Sequence, residues 1–186
     1  MRTLCAASAL YLASLVGHAG VVDRIAVVVG THVITQTEVD EEVRVTEFEN
    51  QEPLNLGPDE RRAAAERLID QQLLRNEIQL EHYQPPEAGE GAKLLEDFRH
   101  QNYPAPARFD TALQRYGITQ QQLARHLLWQ AELVRFVESR FRGPTPSTSS
   151  ASTPSSGPSD GNAQLDAWLK DARSQVRIEF KKDALE

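Results

Sequence analysis

Apolar residues alternate along "RIAVVVG", with Ile25, Val27 and Val29 on one side and Ala26 and Val28 on the other. A period of two in a β-branched run predicts a strand. Gly30-Thr31 suits a two-residue turn of type II′, which wants glycine at its first central position, and "HVIT" returns as a second strand. The period then changes. Thr35 and Glu38 have the spacing of a capping box, in which hydroxyl and carboxylate each satisfy a free N–H at a helix start. A helix is predicted from about Gln36 to Glu49, with its acids on a solvated face.

Helical spacing continues beyond "NLGPDE". The stretch "ERRAAAERLIDQQLLRNEIQLEHY" places Ala65, Ile69 and Leu73 at steps of four, flanked by Leu68, Leu74 and Ile78, between Pro58 and Pro85-Pro86. A third helix is predicted from about Glu87 to Asn102, with Gly89 and Gly91 weakening its first turn. A short helix over "ARFDTALQRY" closes at Gly117. "ITQQQLARHLLWQAELVRFVESRFR" opens on a second capping box, Thr119 with Gln122, and carries the stripe Leu123, Leu127, Ala131 and Val134.

Residues 143–161 are almost wholly Gly, Pro, Ser and Thr and hold no large apolar side chain, which predicts a disordered linker. Pattern returns from residue 162 to 186. Leu165, Trp168, Leu169 and Ala172 mark one helix face, and Val176, Ile178 and Phe180 alternate with Arg177, Glu179 and Lys181. A lone strand needs a partner, and the other strands lie at the far end of the chain. The expected fold is mainly α with a small antiparallel β-sheet, the N-terminal hairpin being completed by a C-terminal strand. Residues 20–142 and 162–186 then form one domain on either side of the linker.

The N-terminus changes the picture of location. "MRTLCAASALYLASLVGHAG" has one Arg, an apolar run from Thr3 to Val16, and small residues at Gly17 and Ala19, the layout of a secretory signal over residues 1–19. A run of roughly 14 residues falls short of the ~20 that span a ~30 Å hydrocarbon core, so stable membrane insertion is not expected. Cleavage there removes Cys5, the sole cysteine, and with it any disulfide or thiolate chemistry. The formal net charge of −7, with no cluster of Lys and Arg, argues against nucleic acid as a partner.

Catalytic chemistry is not apparent. His32, His82, His100 and His126 include no pair at helical metal-site spacing, and they read as surface or cap residues. Glu41 and Glu42 read as solvated charges, and Gly89-x-Gly91 follows no strand. No catalytic residue, metal or cofactor is therefore expected, and the protein is not read as an enzyme.

Three stretches, "VDRIAVVVGTHVITQTEVDEEV", "AAERLIDQQLLRNEIQ" and "FDTALQRYGITQQQLARHLLWQAELVRFV", together with the tail "AWLKDARSQVRIEF", carry a resemblance covering most of the chain past residue 19. In that order they resemble the SurA-like periplasmic chaperones, whose N-terminal domains are related to the peptide-binding region of trigger factor. In that family a parvulin-type prolyl isomerase domain usually sits between the long helix and the closing segment. Here residues 143–161 stand in its place and contain no His, Cys, Phe or Met for a proline pocket.

The resemblance implies an ATP-independent periplasmic chaperone whose partners are unfolded outer-membrane or secreted polypeptides. Two alternatives stay open: a prolyl isomerase-family protein by descent, and a dedicated interaction subunit for one envelope partner. Binding of unfolded chains calls for apolar surface. Phe98, Tyr103, Phe109, Tyr116, Trp129 and Phe136 fall on the middle helices and are candidates to line a groove. Leu128 joins them because it lies off the stripe of Leu123, Leu127 and Ala131.

Overall fold

The computed structural model describes residues 23–84, 86–103, 105–141 and 158–186. The signal segment and residues 143–157 of the expected linker lie outside the described residues. Strands β1 (Ile25–Val29) and β2 (His32–Thr35) lead into helices α1 (Gln36–Asn50), α2 (Pro58–Leu80), α3 (Glu90–Asn102), α4 (Pro106–Tyr116) and α5 (Gln120–Phe141). Helix α6 (Pro158–Gln175), strand β3 (Ile178–Phe180) and a 3₁₀ turn at Lys182–Ala184 follow. The fold is mainly helical, with one small antiparallel sheet.

That sheet has the order β2-β1-β3, so the C-terminal strand joins the N-terminal hairpin. Val27, Val28 and Val29 pair with Phe180, Glu179 and Ile178. Two further backbone bonds extend the pairing, Gly30 N–H to Arg177 O at 2.9 Å and Lys181 N–H to Ala26 O at 2.8 Å. Gly30 takes φ +61° and Thr31 does not take a positive φ, which fits a type II′ turn and excludes type I′. Alternation along β1 is interrupted. A bulge between Ile25 and Val27 inserts Ala26, so Ala26 is buried beside Val27 while Ile25 is 44% exposed.

Local signals set the helix ends. Thr35 and Glu38 form the capping box, Glu38 Oε2 accepting from Thr35 N–H at 2.7 Å and Thr35 Oγ1 from Glu38 N–H at 3.3 Å. Thr119 and Gln122 repeat it, at 2.8 and 3.2 Å. Helix α4 closes at left-handed Gly117 (φ +66°), where a Cβ would lie 2.6 Å from Arg44 Nη1. That guanidinium donates to Tyr116 O at 3.0 Å, so glycine serves both the turn and the approach. Helix α2 stops before its prolines. His82 (φ +53°) takes the left-handed position, and Tyr83 N–H and His82 N–H close back on Ile78 O and Gln79 O. Helix α6 starts at Pro158, within the expected linker, since proline tolerates the first helical turn where its missing N–H is not used.

Three apolar clusters hold these elements. The first joins the sheet to α1 and α2 through Val27, Val29, Ile34, Val39, Val43, Ala65 and Ile69. Trp168, Ile178 and Phe180 pack on it, and so do Ala184 and Leu185 from beyond β3. The second surrounds Phe48 and the third joins Leu74 and Ile78 to Trp129 and Phe136. Arg173 ties α6 to α2 through Asp70 at 2.6 Å and Glu66 at 2.7 Å. On α5 the expected stripe holds at Leu123 but not at Val134, which is 56% exposed. Trp129 and Phe136 of α5 are instead buried on a different face, in the third cluster, because the helix changes neighbours along its length.

Candidate functional site

Helices α1, α2, α5 and α6 border a crevice of about 360 Å³. Its apolar wall comes from Leu74 of α2, Trp129 and Leu133 of α5, and Leu165 and Leu169 of α6. Glu42, Thr46 and Glu49 of α1, Arg67 and Gln71 of α2, and His126 and Gln130 of α5 form a polar wall. The pattern of α1 explains that wall. Val39 and Val43 face the first cluster, Val45 and Phe48 face the second, and Glu42 and Glu49, two turns apart, fall between the two stripes.

The polar wall is tightly paired. Glu42, 7% exposed, accepts from Arg67 Nε and Gln71 Nε2, each at 3.2 Å. His126 Nε2 lies 2.9 Å from Glu49 Oε2, and Nδ1 lies 3.8 Å from Glu42 Oε2. Gln130 Nε2 donates to Glu49 at 3.0 Å, and Gln122 Nε2 donates to Glu41 at 2.8 Å. These last two pairs share one offset of 81 residues, so the contacts climb α1 and α5 in the same direction. Among the described residues no buried side-chain polar atom lacks a partner. The expectation that the acids of α1 are solvated is therefore corrected at Glu42 and at Glu47, which is 6% exposed and accepts Asn55 N–H at 2.8 Å.

His126 was also expected at the surface, and its side chain is only 13% exposed. Burial pushes its pKa down, but the bond to Glu49 and the charges of Glu42 and Glu49 outweigh burial and the opposing Arg67, so the net shift is upward. A raised folded pKa means that charged His126 stabilises the fold fully below its unfolded value of about 6.5 and loses that effect as pH rises through the folded value. Denaturation midpoints of the parent and His126→Gln should accordingly differ most in mild acid and converge in alkali. A gap independent of pH would mean that the ring acts by packing alone. With both ring nitrogens beside carboxylates, His126 is arranged to join helices rather than to take a substrate proton.

The seven residues expected to line one groove do not come together. Trp129, 8% exposed, borders the crevice, and Phe136, 1% exposed, lies beyond it under Tyr83, the ring centroids 5.7 Å apart. Leu128 faces α3, its Cδ2 3.6 Å from where a Gly91 Cβ would stand. Phe98, Tyr103, Phe109 and Tyr116 instead surround Phe48, with centroids 5.5–6.2 Å from its ring. Phe109 is closed off at 1% exposure, whereas Tyr103 and Tyr116 also border a second cleft of about 540 Å³ beside α4. Sequence pattern missed Phe48, Leu133, Leu165, Leu169 and His126 as groove or hub residues. The i, i+4 pair Leu165 and Leu169 on the apolar face of the last helix was the available signal.

No family model, curated protein or solved structure matches this chain. Among the described residues no group of three His, Cys, Asp or Glu could hold a metal ion, and no helix is long and apolar enough to cross a membrane. The crevice thus offers apolar contact along one wall and amide groups along the other. Among the described residues, the amide oxygens of Gln71 and Gln130 have no partner, while their nitrogens are engaged.

Proposed function

We propose that this protein is an ATP-independent periplasmic chaperone that holds unfolded polypeptides, with the architecture of a SurA-like N-terminal domain and no isomerase domain. The observation that carries the reading is the crevice between α1, α2, α5 and α6, apolar on one wall and polar on the other. An extended chain has this same duality, with side chains to bury and backbone groups to satisfy. Two features support the family reading. The tail supplies both α6, which forms part of the apolar wall, and β3, which completes the sheet. Only residues 142–157 separate α5 from α6, where the family usually carries a folded isomerase. The signal-like N-terminus supports export, and an extracytoplasmic holder without nucleotide needs weak, exchangeable contacts.

The test is suppression of aggregation of a chemically unfolded outer-membrane porin diluted from urea, without nucleotide. The parent should suppress it in proportion to its concentration. Leu133→Asp and Leu169→Asp, both at partly buried positions on the apolar wall, should weaken capture by roughly tenfold, the scale expected for losing a large fraction of one buried leucine's contact. Suppression that is absent in the parent, or equal in parent and folded wall variants, would overturn the reading.

A further inference from the structure

The second cleft lies apart from the crevice and has a different chemistry. Tyr103 and Tyr116 border it over the ring of Phe48, Tyr103 stacked at 5.7 Å and Tyr116 edge-on at 5.5 Å. Arg108 and Arg115 border it from α4, with Thr111 and Ala112 between them. These two cations have no side-chain partner among the described residues. Arg61, Arg67, Arg125, Arg135, Arg140 and Arg173 each meet a carboxylate. Among the described residues, Arg24, Arg108 and Arg115 alone of the arginines make no side-chain hydrogen bond, ion pair or ring contact. Acids are not scarce, since the chain has 27 Asp and Glu against 20 Lys and Arg.

Position sharpens the point. Arg115 lies in the last turn of α4, where a cation complements the helix dipole. Arg108 lies in the first turn, where a cation is disfavoured and no acid of that turn offsets it. The fold itself gains nothing from a positive charge at that place. An anion docked there would meet Arg108 and the positive end of α4 together.

We propose that this cleft binds an acidic, extended peptide segment, with Arg108 and Arg115 taking its carboxylates and the Tyr103–Tyr116 floor taking an apolar side chain between them. Seven residues of helix set the two arginines about 10 Å apart. In an extended chain, acids four apart share one face with the residue midway between them and lie about 13 Å apart, within reach of two long arginine side chains. The Tyr116 hydroxyl is occupied, donating to Glu52 O at 2.6 Å, whereas the Tyr103 hydroxyl has no partner among the described residues and is open to a peptide carbonyl. A polyanion such as nucleic acid fits poorly, because the rest of an acidic chain repels it.

The test uses the full chain and a fluorescent peptide with two Glu four residues apart and a Leu midway between them, followed by fluorescence anisotropy. Binding should weaken with salt and should weaken strongly when both Glu become Gln. Arg108→Gln and Arg115→Gln should each lower affinity by about threefold, the scale of an exposed ion pair, and Arg108→Glu/Arg115→Glu should abolish it with an unchanged melting temperature. Leu133→Asp in the crevice should leave acidic-peptide binding intact, which separates this site from the proposed chaperone crevice. Equal affinity for the Glu and Gln peptides, full binding by the double variant, or tighter binding of a single-stranded oligonucleotide would each overturn the proposal.

Discussion

Ile178→Asp should destabilise the protein by about 3 kcal/mol or more, while Arg177→Asp, one residue away, should cost under about 1 kcal/mol. Ile178 pairs with Val29 and packs on the cluster beneath the sheet, so an aspartate there must either lose its hydration or pull β3 off β1. Arg177 points the other way, its side chain 83% exposed, and its loss removes only a surface pair with Glu179. Urea denaturation gives the two midpoints directly. Amide exchange at Val27, Val28 and Val29 adds a second readout, because β1 is the central strand and relies on β3 for one of its two edges. If the two variants denature alike, the C-terminal strand is not part of the core, and the tail cannot hold α6 against the crevice.

Where partners are near in sequence, structure could be read from the chain. Thr35 with Glu38, Thr119 with Gln122, Gly30 at the hairpin and Gly117 after α4 are each fixed by chemistry within a few residues. That β3 joins the hairpin's sheet was also legible, though distant, because an alternating segment with no neighbour had only one sheet to join; its choice of β1 over β2 was not. What escaped depends on long-range register. The bulge at Ala26 shows only against β2, and Val134 is exposed only because α5 changes neighbours midway. Ala184 and Leu185 are buried at 2% and 6% exposure, yet a single apolar pair after "KKD" has no period to reveal it.

The candidate site was legible in composition and not in grouping. Aromatic residues on middle helices were visible, but the residue that sorts them, Phe48, lies on α1 among acids and looks like an isolated apolar position. Glu42 and His126 illustrate the same limit for charge. They are separated by more than eighty positions, so neither shows its burial until α1 lies beside α5.

Phe48→Ala should cost about 3–5 kcal/mol, the range for deleting a large buried aromatic side chain. Phe48 is 1% exposed and touches the rings of Phe98, Tyr103, Phe109 and Tyr116, so the void opens where α1, α3 and α4 meet. Phe48→Leu keeps much of the volume and loses the edge and stacking geometry, so it should cost less, about 1–2 kcal/mol. The effect should also reach function. Tyr103 and Tyr116 rest on Phe48 as the floor of the arginine-bordered cleft, and Phe48→Leu should therefore weaken the acidic peptide at a denaturant-free temperature where the fold persists. Capture of unfolded porin at the crevice should change little in the same variant, because Phe48 lies on the opposite side of α1 from the crevice-lining Thr46. A loss below about 1 kcal/mol for Phe48→Ala would mean that the four rings hold one another without it, and the cleft floor would then have to be rigid for another reason.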